Sequence, residues 1–195
     1  MLNPLPCATY AFVMSITPGP NNVMLTAAGA NFGLRRTLPH ILGVTCGFGT
    51  QVAAVCSGVG VLFTRWPALQ STLKWAGAAY LLFLGWQLLR ARGARAGEAG
   101  KPVSFGEAAL FQFLNPKAWV MSLTAATLFL PAQLGALAAS TYVAGILALV
   151  NLPCITSWAV FGSSLGRMLR RPAARGLFNA AMAVALAATA IMMVR

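Results

Sequence analysis

Carboxylates are nearly absent from this chain. Its 195 residues hold two, Glu98 and Glu107, against 14 lysines and arginines. Both acids lie in or beside one loop, so no apolar segment carries one. Charged residues make up 8% of the chain and hydrophobic residues 58%, where an ordinary soluble domain is about 25% charged. Too little polar surface exists to cover a soluble core. The same shortage removes whole classes of chemistry. No Ser/His/Asp set can form within acid-free segments, and no His/Cys/acid cluster has metal-ligand spacing. No G-x-x-x-x-G-K-[ST] occurs, which removes a P-loop ATPase. An enzyme is not expected, nor a metal or cofactor. The four cysteines, Cys7, Cys46, Cys56 and Cys154, form no C-x-x-C and sit in apolar surroundings, as inert buried thiols do. No secretory signal is evident, since residues 1–10 carry no basic n-region.

What is present is base, and its placement matters more than the net charge of +12. Lysines and arginines cluster between apolar runs: Arg35-Arg36, Arg90/Arg92/Arg95/Lys101 and Arg167/Arg170/Arg171/Arg175. Interspersed with segments long enough to span a bilayer, they form the positive-inside pattern of a bacterial inner-membrane protein rather than a nucleic-acid surface. A spanning helix needs about 20 apolar residues, and six stretches qualify: 5–32, 38–63, 69–89, 108–130, 134–165 and 177–194. The loops after the first, third and fifth hold ten Lys/Arg, against Arg65 and Lys74 around the second loop and Arg195 at the C-terminus. The basic loops are therefore expected in the cytoplasm and both termini outside.

Residues 93–104 form the one clear hydrophilic linker. They separate a first unit of three helices, 1–92, from a second, 105–195, within a single membrane domain. An odd number of helices per unit inverts the second relative to the first. The fold expected is an all-α membrane protein of six transmembrane helices, built as two inverted three-helix repeats with the first helix of each half broken. A homodimer is compatible with so small a chain.

The breaks are Thr17-Pro18-Gly19-Pro20-Asn21-Asn22 and Asn115-Pro116-Lys117. A proline removes one helical hydrogen bond and obstructs another. In hydrocarbon the freed groups survive only where protein or a water-filled cavity surrounds them. At the first break Gly19 offers unusual backbone angles, and Asn21 and Asn22 stand where a second half-helix would be capped. A half-helix start presents free N–H groups and partial positive charge, which suits a carboxylate. At the second break Lys117 is the tenth residue of a span of about 23, roughly 14 Å from the nearer end. A lysine there costs about 2.5–3.5 kcal/mol, and its stem cannot reach the interface. It must face a cavity, a partner or a ligand carboxylate. The substrate-binding candidates are Thr17, Pro18, Gly19, Pro20, Asn21, Asn22, Asn115, Pro116 and Lys117. Gln51, Asn151 and Pro153 are pore-lining candidates, and His40 reads as an interfacial histidine.

At these motifs the chain resembles the lysine exporter/homoserine-threonine resistance (LysE/RhtB) family of bacterial amino-acid exporters. The matching residues are Thr17-Pro18-Gly19-Pro20-Asn21, Asn115-Pro116-Lys117, and the stretch from Leu73 to Leu81 in the third helix. Thr17 to Asn22, Trp75 to Tyr80 and Lys101 to Phe105 are most similar to its cysteine/O-acetylserine exporter group. The resemblance implies efflux of amino acids or close metabolites, driven by a proton or other ion. Lysine-exporting members resemble one another in carrying an acid in the second helix. Thr50 and Gln51 stand there instead, which argues for a neutral or zwitterionic substrate. No membrane carboxylate exists to carry a proton, so Lys117 is the candidate carrier. The competing readings are a membrane thiol-redox or electron-relay protein of similar layout, which would need a cysteine pair at its breaks, and a non-transporting membrane subunit.

The charge count makes one prediction directly. A C-terminal reporter that is active only in the cytoplasm should be silent, and a strong signal would reverse the orientation.

Overall fold

The computed structural model describes residues 2–61, 65–91, 101–169 and 171–194. Most of the expected linker, and with it Arg92, Arg95 and Glu98, lies outside them, as do Arg170 and Arg195. Among the described residues every regular element is a helix, with no strand. In chain order the helices are α1 (Leu5–Ile16), α2 (Pro20–Phe32), α3 (Leu34–Ala54), α4 (Pro67–Arg90), α5 (Phe105–Leu114), α6 (Pro116–Leu128), α7 (Ala136–Met168) and α8 (Pro172–Val194). A short π-helical turn, Val55–Val59, extends α3. Its Gly58 has φ 106°, an angle that disfavours any side chain.

Three helical stretches are long and apolar enough to cross a membrane: Leu34–Val59, Ala136–Met168 and Pro172–Val194. α4 has the length, at 24 residues. The remaining four helices form the two interrupted stretches, α1–α2 and α5–α6, and each piece is too short to cross alone. Pro20 and Pro116 each occupy the first turn of the second piece, where a missing N–H costs no helical bond. α5 begins with a capping box: Ser104 accepts from the Glu107 backbone while the Glu107 carboxylate accepts from Ser104. Pro153 does not break its helix. α7 runs through it for 33 residues, about 50 Å at 1.5 Å per residue, longer than the roughly 30 Å hydrocarbon core.

The core is built by backbones in close approach. α2 lies along α7, α3 along both α5 and α7, α1 against α7, and α4 pairs with α8. A Cβ on Gly29 would run into the Ala159 carbonyl, and one on Gly162 into that of Thr26. Gly43 and Gly47 meet the backbones of Phe105 and Ala109 in the same way. Lipid tails are as apolar as leucine, so helices in a membrane gain from such tight packing rather than from leaving water. Polar bonds add to it. Asn31 on α2 donates to Asn179 on α8 at 2.8 Å, and the Arg175 guanidinium donates to the Gly166 and Leu169 carbonyls that end α7. His40, at whatever depth it lies, is 0% exposed within the packing around α3, and neither ring nitrogen has a partner among the described residues.

The seam between α2 and α7 predicts a large effect from one methyl group. Gly162→Ala should destabilise the purified protein by about 1–3 kcal/mol, the usual range for overpacking, read as a lower melting temperature in detergent. Gly145→Ala on the same helix, where a Cβ meets nothing within 4 Å, should melt as the parent does. Equal melting of the two variants would mean that close approach does not hold this seam.

Candidate functional site

A helix that stops inside a bundle must find donors for its last carbonyls. α1 ends at Ile16, and Thr17 turns the chain to extended backbone at φ −67°, ψ 143°. Five successive carbonyls near this end accept from side chains. The Thr17 hydroxyl donates back to Met14 at 2.9 Å. The Asn22 amide donates to Ser15 at 3.0 Å and to Thr17 at 2.8 Å. The Trp158 indole donates to Ile16 at 3.2 Å. Lys117 supplies the rest: its ammonium donates to the Thr17 carbonyl at 2.7 Å, the Thr17 hydroxyl at 2.9 Å and the Pro18 carbonyl at 3.4 Å. The partner of Lys117 is thus the carbonyl end of a half-helix, whose dipole carries partial negative charge. The carbonyls that the first break frees from the helix are engaged by protein.

The second break is capped differently. Asn115 sits at φ −90°, ψ 109°, and its side chain accepts from the Lys117 N–H at 3.1 Å, opening α6. The asparagines of the first break do not cap. Gly19 is the residue before α2, Pro20 is first in the helix, and Asn21 and Asn22 fall inside the first turn. Asn22 reaches back to α1. Asn21 pairs with Gln112 near the end of α5, donating at 2.8 Å and accepting at 3.3 Å. Gly19 is also explained otherwise than expected. At φ −174°, ψ 177° it is plainly extended, a shape open to any residue. A Cβ there would lie 3.0 Å from Lys117 Cδ and 3.2 Å from its Nζ, so the glycine makes room for the lysine.

The two breaks therefore meet. The start of α2 bonds to the end of α5 through Asn21 and Gln112, and the start of α6 bonds to the end of α1 through Lys117 and Thr17. Between them lies a cavity of about 30 Å³, room for about two waters. Gly19, Pro20, Asn21, Asn22, Asn115 and Lys117 line it, with Ser15, Gln112 and Asn151. Lys117 is the one ionisable side chain among the lining residues. Thr17, Pro18 and Pro116 stand beside it; Pro18 and Pro116 line a wider groove with Lys117.

The secondary candidates separate. Asn151 reaches the cavity and donates to the Ser15 hydroxyl at 3.1 Å, while its own carbonyl oxygen has no partner. Gln51 is 0% exposed with neither amide atom bonded, and it is not among the cavity's lining residues. Pro153 is exposed on α7, away from the cavity. Three participants went unread in the sequence: Gln112, Ser15 and Trp158. Gln112 carried a signal, as a polar residue in an apolar run three positions before the break. Ser15 and Trp158 carried none.

Known proteins resemble this chain along most of its length. The LysE type translocator family model matches residues 12–195. The cysteine/O-acetylserine efflux protein of Escherichia coli (strain K12) is 31% identical over 164 residues, covering 84% of each chain. The proteins of that name from Shigella sonnei (strain Ss046) and Shigella flexneri match equally, at 31% over 164 residues and 84% of each chain. No solved structure matches significantly.

The carbonyl cap gives a stability prediction. Asn22→Ala leaves the carbonyl of buried Ser15 without its side-chain donor and the Thr17 carbonyl with Lys117 alone, at a cost of about 1–3 kcal/mol. The variant should melt several degrees lower in detergent. Unchanged melting would mean that the α1 end finds another donor without cost.

Proposed function

The chain belongs to the LysE type translocator family, and on that premise we propose that it is a secondary-active exporter of amino acids or close amino-acid metabolites across the bacterial cytoplasmic membrane. The relatives are named for efflux of cysteine and O-acetylserine, which makes these two zwitterions the first substrates to try. One observation carries the reading. Two half-helix starts and one ammonium converge on a polar cavity whose lining residues include no carboxylate. Such a place suits a ligand carboxylate, and the cavity's amides and hydroxyl can accept from a ligand ammonium. The nine residues from Thr17 to Asn22 and Asn115 to Lys117 are the proposed transport site, with Asn151 and Gln112 added from the geometry.

In this proposal the chain crosses the membrane six times as two inverted repeats, 1–92 and 105–195, joined by a cytoplasmic linker at 93–104, with both termini outside. The packing supports it. Exchanging α1, α2, α3 and α4 with α5, α6, α7 and α8 turns the α2-to-α5 contact, made by Asn21 with Gln112, into the α6-to-α1 contact, made by Lys117 with Thr17 one position along. It also turns α1 and α2 against α7 into α5 and α6 against α3, and leaves the α4–α8 pair unchanged. Asn21 and Lys117 then occupy one position, each directly after a first-turn proline. Coupling to a proton or other ion would run through Lys117 as the ionisable group at the cavity. Membrane lipid, and a second copy as a homodimer, are the remaining partners of the proposal. A thiol relay is less suited, since Cys7 and Cys154 are buried free thiols and neither lines the cavity. A non-transporting subunit accounts for Lys117 as a helix cap but gives no use to the polar cavity between the breaks.

The test is an export panel. Cells sensitised to individual amino acids and analogues should gain resistance and accumulate the exported compound outside when they express this chain. Lys117→Ala should cut that efflux at least tenfold. Resistance to none of the compounds rejects the reading. Full proton-coupled efflux by Lys117→Ala proteoliposomes rejects Lys117 as the carrier.

A further inference from the structure

Two spaces of very different size meet at the breaks. The midplane cavity, of about 30 Å³, is one. The other is a groove of about 730 Å³ between the α4–α8 pair and the broken helices. It takes in Gln70 and Lys74 near the start of α4, Leu123 of α6, and Ala188 and Thr189 of α8. The two spaces share three lining residues: Gly19, Pro20 and Lys117. Behind these three, Asn22, Asn115 and Met121 are at most 4% exposed. In front of them Thr17 and Pro18 are exposed. The Lys117 side chain lies across the boundary, packed on Gly19 and bonded to the Thr17 and Pro18 carbonyls.

We propose that the groove is the path by which a carboxylate-bearing solute passes to or from the midplane cavity, and that Lys117, docked on the end of α1, is the gate between them. Charge argues for the occupant. The ionisable side chains lining the groove are Lys74 and Lys117, with no acid among the lining residues. The groove therefore places one cation near the start of α4 and one at the breaks, a favourable run for an anionic group. Geometry argues for the gate. Lys117 is held by acceptors that a ligand carboxylate can replace, and its stem ends on flexible carbons. When the ammonium turns to a carboxylate, the wall between groove and cavity goes with it. The identity of the solute rests on the export reading; the gate itself does not.

Cysteine labelling separates the two. The full chain, with Cys7, Cys46, Cys56 and Cys154 replaced by alanine, receives either Ala188→Cys in the groove or Met121→Cys in the cavity. Permeabilised cells are treated with a membrane-impermeant maleimide, without substrate. Ala188→Cys should react readily and Met121→Cys at least tenfold more slowly. Adding Lys117→Ala should bring Met121→Cys close to the groove rate, while Lys117→Arg should keep it slow. Gly19→Ala keeps the ammonium but crowds its docked position, and should also speed Met121→Cys; it decides the matter if Lys117→Ala fails to reach the membrane. An unreactive Ala188→Cys would mean that lipid tails fill the groove, which overturns the path. Unchanged Met121→Cys rates in the Lys117→Ala and Gly19→Ala backgrounds overturn the gate. Since no amino acid is needed, a chain that exports none of the panel can still pass this test, and an exporter can still fail it.

Discussion

The ammonium of Lys117 against the carbonyl end of α1 is the contact on which the centre of this protein depends. Each side of it is a liability alone. A helix that stops inside hydrocarbon leaves carbonyls that no water can reach, and each costs several kcal/mol. A lysine at midmembrane costs about 2.5–3.5 kcal/mol. Together they cancel much of that cost, because the cation meets both hydrogen-bond acceptors and the negative end of a helix dipole. Asn22 and Trp158 complete the cap with neutral donors. The two breaks are in this sense one structure, since neither can be kept without a group supplied by the other.

That structure requires backbones to come very near each other. Lys117 reaches Thr17 because Gly19 has no side chain in the way. Asn21 reaches Gln112 only if α2 lies close to α5, and glycines set such distances elsewhere in the bundle. Gly29 and Gly162 hold α2 on α7, and Gly43 and Gly47 hold α3 on α5. The abundance of small residues thus serves position rather than flexibility. A wider spacing would leave the amide pair and the lysine cap out of hydrogen-bond range, and the cavity between them would lose its walls.

Much of this was legible in the residues, and what was missed has a physical reason. Hydropathy located the helical stretches of the described residues to within a few residues at most ends, although α7 runs longer than a bilayer requires. The prolines located both breaks, because a missing N–H cannot be hidden. Lys117 stood out because no acid accompanied it. Its partner was read too narrowly: a carbonyl is a feature of every residue, so the sequence gives no sign that a backbone end can serve as counter-charge. The same limit explains Gly19, whose role is space next to a side chain a hundred residues away, and the asparagines, whose capping chemistry was right in kind but directed at another helix. Trp158 and Ser15 became part of the site only through the α1–α7 contact, which no local pattern encodes.

The lysine cap also bears on which ligands the export reading favours. A carboxylate that draws Lys117 away gains a charge-assisted contact worth about 1.5–3 kcal/mol, but the same exchange strips a similar contact from the end of α1. A simple carboxylic acid would therefore gain little and leave orphaned carbonyls behind. A zwitterion brings its own remedy, because its ammonium can take the place on the α1 carbonyls that Lys117 vacates. One ammonium is replaced by another, and the helix end stays capped throughout. Net binding from such an exchange is weak by construction, since each 1.4 kcal/mol not gained is a tenfold loss in affinity. Weak binding is what an exporter needs at the moment of release, so on the export reading a cation already held by the chain would select α-amino acids over their deaminated analogues and still let them go.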